Sequence, residues 1–198
     1  ETLVVHKGLD QRAATDVAAD LIREHELKRL VDACHSSGVT ILLMKGADLA
    51  YSRYPQPDLR PRTDTDVLVA EGDRARASAV LASCGYERVA QSGGDLLMYQ
   101  EPFRLWRDGA VVHVVDLHWR VFNPQRFGGV FEFDELARES EPRLALGPHA
   151  RGLGVVHALM LACVHRMAHH FNDDRLIWLV DIQVLAAAMT PERWRRLA

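Results

Sequence analysis

Asp64 and Asp66 stand two apart in RPRTDTDVLVA, just behind Arg60 and Arg62 and at the mouth of an apolar run. Residues i and i+2 of a strand share a face, so the pair presents two carboxylates side by side while Thr65 and Val67 point the other way. A buried carboxylate without a partner is costly, and two that face the same way repel unless a cation lies between them. A third, Asp116, sits in AVVHVVDLHWRV, where Val112, Val114, Asp116 and His118 share one strand face. If the two strands are neighbours, three aspartates converge, and such hard oxygen ligands suit Mg²⁺ held against phosphates and water. The chemistry implied is phosphoryl or nucleotidyl transfer. From these residues alone, a solvated strand end capped by Arg60 and Arg62 accounts for the acidic pair as well as a metal site does.

Other side chains are candidates for the same site. Lys7, Lys28 and Lys45 are the lysines among 24 lysine and arginine residues, so Lys45, at the end of the apolar run VTILLM, is a notable choice of basic residue. Its ammonium suits either triphosphate charge or an aspartate. His118 follows the third aspartate closely and is expected to touch a nucleotide, whereas Trp119 points to the opposite face and reads as core. His165 and His169 have i, i+4 helical spacing, which also suits zinc, but no H-E-x-x-H carboxylate completes that site. A pocket-lining or structural role is expected for them. Arg175, Trp178 and Asp181 recur at intervals of three and suggest a buried polar link between two helices.

The elements that must position these groups follow from periodicity. Apolar residues at helical spacing from Asp10 to Ser37 predict a long amphipathic helix. VTILLM and TDTDVLVA read as buried strands, separated by a short helix, ADLAYSRY, and by PQPDLRPR, whose prolines argue against regular structure. A helix from Asp73 to Ser83 precedes three short strands, YERVAQ, LLMYQ and FRLWR, with SGGD as a turn between the first two. Asp108-Gly109 is a hairpin signal that feeds the longest strand pattern. Asn123 to Leu153 is poorly patterned, and two helices are expected near 154–171 and 174–189. This order predicts an α+β (α/β) fold with a mixed sheet, a core at 1–140 and a helical subdomain at 150–198. The chain opens on Glu1 and stops within PERWRRLA, so a piece of a longer protein is expected.

The whole chain sets bounds on function. Its 198 residues, 48% of them hydrophobic and 26% charged, can bury a sizeable core, and a net charge of −3 argues against a general polyanion binder. Cys34, Cys84 and Cys163 are scattered through apolar helical patterns with no C-x-x-C, which suggests neither a disulfide framework nor a zinc knuckle and points to a reducing cytoplasm. Neither a leader nor an apolar run long enough to span a bilayer is evident, so no membrane partner is expected.

LLMKGADLAYSRYPQPDLRPRTDTDVLVA resembles the start of the uncharacterised nucleotidyltransferase family often called nucleotidyltransferase family 5, with its L-K-G, Y-P and L-R-P-x-x-D-x-D-x-L-V pattern. VVDLHWRV is similar to its D-L-H-W element, and ACVHRMAHHFNDDRLIWLVDI to its C-terminal H-x-x-x-H and R-L-x-W-L-x-D-I element. The resemblance implies a DNA polymerase β-like nucleotidyltransferase core binding two Mg²⁺, for which Mn²⁺ can substitute, and an NTP as substrate. On it, Asp64, Asp66 and Asp116 would be catalytic metal ligands. Lys45, Gly46, Arg60 and His118 would contact nucleotide, with Arg60 also fit to brace its loop, and His165, His169 and Arg175 would line the pocket. The acceptor, whether small molecule, peptide, protein or RNA, is left open, as is the oligomeric state. A non-catalytic nucleotide- or partner-binding member of the fold and a metal-dependent phosphohydrolase are the alternatives.

Overall fold

The apolar runs of the sequence become the strands of one mixed sheet. The computed structural model describes the backbone of residues 2–90, 99–123, 127, 129–169 and 175–197, and within those spans the side chains of 17–165 and 175–197. The strands are β1 (Leu42–Met44), β2 (Thr65–Leu68), β3 (Tyr86–Arg88), β4 (Gln100–Arg107), β5 (Ala110–His118), β6 (Glu141–Pro142) and β7 (Arg151–Gly152). They pair in the order β3-β4-β5-β2-β1-β7-β6. The β2–β5 and β1–β7 pairs are parallel and the others antiparallel. The helices are α1 (Thr2–Ser36), α2 (Lys45–Ala50), α3 (Arg74–Ser83), α4 (Phe133–Arg138), α5 (Val155–His169), α6 (Leu176–Ala187) and α7 (Pro191–Arg195).

Alternation along the strands divides the interior into two layers. Leu43, Val67, Val115 and Leu117 face α1 and α3, where they meet Leu27, Leu30, Val80 and Leu81. Leu42, Met44 and Leu68 face the opposite way, toward Phe122, Phe131 and Leu159. Burying each such large apolar side chain contributes about 2 kcal/mol, which fixes which face of β2 is which. Asp66 lies on the second face, one pleat before Leu68, so the hydrophobic pattern also determines where its carboxylate emerges.

The structure departs from the sequence expectations at several points. The proline-rich loop holds a short 3₁₀ turn, Pro57–Leu59, because a proline at its first position already has the φ that the turn needs. FRLWR and the end of LLMYQ form one strand through Pro102. The Pro102 carbonyl accepts from the Val89 N–H at 2.9 Å, so its hydrogen-free nitrogen points to the same edge, past β3, and no bond to β5 is lost. The ladder jumps from the Leu105–His113 pair to Trp106–Val111, leaving Val112 as the extra residue of a β-bulge. Val112 therefore packs with the first layer and does not share the face of Val114, Asp116 and His118. Asn123 to Leu153, read as unpatterned, contains α4, β6 and β7; two-residue strands are too short to show a period. The SGGD turn lies outside the described residues.

Asp108-Gly109 forms the expected hairpin, with φ of 50° and 77°, the left-handed pair that matches strand twist. β6 and β7, beyond the expected core boundary at residue 140, belong to the same sheet through the Leu43–Gly152 pairing. Among the described residues no helix is long and apolar enough to cross a membrane.

Candidate active site

Parallel pairing of β2 with β5 sets Asp66 directly opposite Asp116. Opposed residues on neighbouring strands project to the same face, so the two carboxylates stand side by side, and Asp64 leads Asp66 by one pleat. Asp66 is buried, and its Oδ1 accepts from Lys45 Nζ at 2.6 Å and faces His118 Nε2 at 2.9 Å. Asp116 Oδ2 accepts from Gln100 Nε2 at 3.2 Å, and Asn123 Nδ2 donates to Gln100 Oε1 at 3.0 Å. Asn123 is itself fixed by the Tyr99 N–H, which donates to its Oδ1 at 2.9 Å.

The three carboxyls differ sharply in character. Burial works to raise Asp66, but the Lys45 ammonium and the His118 hydrogen bond outweigh it and hold the group well below the usual carboxylate range. Asp64 is raised by burial and by the neighbouring Asp66 charge. Burial, then Asp66 and Asp64, push Asp116 up to about 7. Ligand atoms of Asp66, Asp116 and His118 all lie within 4.8 Å of one another. The set therefore fits a hard divalent ion on carboxylate oxygen, with His118 fixing the orientation of Asp66.

Lys45 reaches this position by an unusual backbone. β1 runs straight into α2, with Met44 extended and Lys45 at φ 55°, a left-handed conformation rare for residues with a β-carbon. The reversal turns the lysine back along β1 toward Asp66, the partner of Met44 in the sheet.

The carboxylates open into a cleft of about 710 Å³ between the sheet and the helices, lined in part by Lys45, Asp64, Asp116, Leu161, His165 and Trp178. Its floor is braced by Arg60, which donates through Nε and Nη2 to the two Asp181 oxygens at 2.8 and 2.7 Å. Tyr54 OH donates to Asp181 Oδ1 at 2.8 Å. Gly46 makes room for this pair: a β-carbon there would lie 3.1 Å from Arg60 Nη1. Behind α2, Arg143 Nε donates to the buried Asp48 at 2.6 Å and its Nη2 to the Leu153 carbonyl at 2.8 Å.

The expected site residues can now be placed. Asp64, Asp66, Asp116, Lys45, Gly46, Arg60, His165 and Arg175 all line the cleft. His118 is not among the lining residues; it is 2% exposed, with its Nε2 2.9 Å from Asp66 Oδ1. Neither arginine caps the acidic pair in hydrogen-bond contact, as the solvated strand-end reading required. Arg60 is committed to Asp181, and Arg62 donates to the Pro57 carbonyl at 2.9 Å and pairs with Asp20 at 3.2 Å. The polar link expected between two helices instead ties Asp181 of α6 to the proline-rich loop, because Arg60 and Tyr54 both reach it first. Arg175 precedes α6, with its guanidinium 5.3 Å from the Trp178 ring. His169 ends α5, and its side chain lies outside the described residues.

Gln100, Asn123, Tyr54, Asp48 and Arg143 were not foreseen. Each acts through a partner distant in sequence, so no local spacing announces it; Asp48 alone offered a signal, as an acidic residue within the otherwise apolar start of a helix.

A family model described as uncharacterised nucleotidyltransferase matches residues 3–198. No curated protein matches the chain. Among solved structures, the antibiotic-resistance factor ANT(2'')-Ia is similar with a TM-score of 0.61 at 13% identity, over 90% of each chain. The lincosamide antibiotic adenylyltransferase LnuA, lincomycin-bound, is similar with a TM-score of 0.54 at 15% identity, over 83% of this chain and 97% of that one. A nucleotidyltransferase-like protein from Paracoccidioides brasiliensis is similar with a TM-score of 0.54 at 15% identity, over 85% of this chain and 77% of that one. At such identities the likeness is one of fold: a mixed sheet with flanking helices, of the polymerase β-like nucleotidyltransferase kind.

Proposed function

The chain belongs to the uncharacterised nucleotidyltransferase family, and from that premise we propose that it moves a nucleoside monophosphate from an NTP to a hydroxyl of a small-molecule acceptor in a Mg²⁺-dependent reaction. The observation that carries this reading is the in-register pairing of Asp66 with Asp116 at the mouth of the cleft. Asp64, Asp66 and Asp116 are the residues that would hold the metal. When bound, Mg²⁺ supplies charge neutralisation to the triphosphate and acidifies the attacking hydroxyl.

The remaining work falls to the chain's own groups. The acceptor oxygen attacks the α-phosphorus in line, its bond to phosphorus forms as the α–β bridging bond breaks, and pyrophosphate leaves. Asp116 takes the hydroxyl proton. Gln100 and Asn123 hold its carboxyl in place, which keeps the base within reach of its proton. Lys45 sets a positive charge on the phosphate side of the cleft. The Arg60–Asp181 brace keeps the loop before Asp64 and helix α6 at a fixed separation, so two substrates are held at one geometry.

The cleft volume suits a nucleotide with a compact acceptor, a reading supported by the small molecules in two fold neighbours: adenylyl-2''-tobramycin in a complex of ANT(2'')-Ia and lincomycin in LnuA. Incubating the protein with labelled NTPs, Mg²⁺ or Mn²⁺ and a small-molecule extract should transfer label to a compound of low mass. Label appearing only as free nucleotide or phosphate would favour hydrolysis and overturn the assignment.

A further inference from the structure

Among the described residues, the cation in hydrogen-bond contact with the carboxylate cluster is Lys45, through the 2.6 Å contact with Asp66 Oδ1. The same oxygen faces His118 Nε2 at 2.9 Å, and a carboxylate oxygen of Asp66 lies with ligand atoms of Asp116 and His118 in a set within 4.8 Å of one another, the group that a divalent ion would need. An ammonium and a metal ion cannot both sit against one carboxylate oxygen without strong repulsion. Lys45 is also held at φ 55°, where a lysine gains nothing from its backbone, and its half-buried chain lies at the cleft wall with the open volume beside it.

We propose that Lys45 is a placeholder for the divalent ion: its ammonium holds Asp66 Oδ1 and yields that oxygen to the metal when a triphosphate arrives to receive the ammonium. The inference rests on the nucleotidyltransferase reading and adds to it an order of events. Metal alone competes with the lysine and binds weakly. Metal with triphosphate binds well, because the displaced ammonium gains phosphate oxygens in exchange for the carboxylate. By linkage each ligand tightens the other, and the site stays closed to free divalent ions.

The test measures Mn²⁺ binding to the full chain by electron paramagnetic resonance of free Mn²⁺. Lys45→Met removes the charge at similar size, and Lys45→Gly removes it while relaxing the left-handed backbone. Both variants should bind Mn²⁺ alone at least about tenfold more tightly than the parent, the size expected for removing a unit charge beside the ion. Both should bind the Mn²⁺ complex of an α,β-methylene NTP more weakly than the parent. Lys45→Arg, which keeps a positive charge, should return Mn²⁺ affinity toward the parent value. Equal or weaker Mn²⁺ binding in both neutral variants overturns the placeholder. Asp66→Asn separates this from the underlying reading. Mn²⁺ binding that disappears in Asp66→Asn supports the carboxylate site whatever Lys45 does, and binding that survives it overturns the site and the lysine's role together.

Discussion

Arg60 grips Asp181 with a two-pronged guanidinium–carboxylate contact across 121 residues of chain, tying the loop that leads into Asp64 to helix α6 on the far wall of the cleft. Both side chains are buried, at 9% and 6% exposure. Removing one partner would strand the other's charge away from water.

Arg60→Ala or Asp181→Ala should therefore cost about 3 to 5 kcal/mol in urea unfolding. Arg60→Lys should recover little of this, since an ammonium cannot reproduce the fork. The double variant Arg60→Met with Asp181→Leu should lose clearly less than the two single losses added. Additive losses would mean that the two groups are not coupled.

The three aspartates should respond differently to neutralisation in metal-free protein. Asp66 is ionised and compensated by Lys45 and His118, so Asp66→Asn should lower the melting temperature. Asp116 is raised to about 7, chiefly by burial and by its two acidic neighbours, so Asp116→Asn should raise stability by about 1 kcal/mol. Simple mutual repulsion would instead make both changes stabilising, and calorimetry of the single variants separates the two cases.

His113 lies on the other face of β5, where its Nε2 meets Thr65 Oγ1 at 2.9 Å and its Nδ1 meets Tyr86 OH at 2.6 Å. Burial drives its pKa from 6.5 to about 3, with Arg23 and Arg62 adding to the fall. The folded state thus refuses a proton that the unfolded chain accepts below pH 6.5. Stability from this group is complete above that value and is lost as pH falls toward 3, by about 2 kcal/mol between pH 7 and 5. His113→Asn should flatten this part of the stability profile. An unchanged slope would assign the acid sensitivity to other groups.

Two glycines should differ in tolerance. A β-carbon on Gly152 would lie 1.8 Å from Asp48 Oδ1, inside the buried Arg143–Asp48 ion pair, so Gly152→Ala should cost more than about 3 kcal/mol or prevent folding. Gly46→Ala meets the Arg60 guanidinium at 3.1 Å and should cost about 1 kcal/mol. Comparing soluble yield and melting temperature of the two variants checks the order.

Much of the site's frame was legible in the chain because it depends on local pattern. The period-two faces of TDTDVLVA and VVDLHW put Asp64, Asp66 and Asp116 on sides that could meet, and β2 and β5 do pair in that sense. Lys45 was legible through its scarcity among the basic residues. What local pattern could not reveal are choices among distant partners. Nothing near Arg60 says that it prefers Asp181 to Asp64, and nothing in EPRLALGPHARG says that its ends form two short strands at the sheet edge. Those are decided by which buried charge is left without water once the layers close. The bulge at Val112 is a similar case, since an alternating apolar run reads the same with or without one extra residue.

The parallel union of β2 and β5 also has a kinetic consequence. β4 and β5 meet through a tight hairpin and can pair early, whereas Asp66 must find a strand whose His118 is 52 residues away, so loop entropy is paid before that pairing returns anything. The carboxylates repel as they approach, which sets their convergence late in assembly. A ligand that recognises the converged set meets only the finished fold, and on binding it should lengthen the lifetime of the native state more than it hastens its formation.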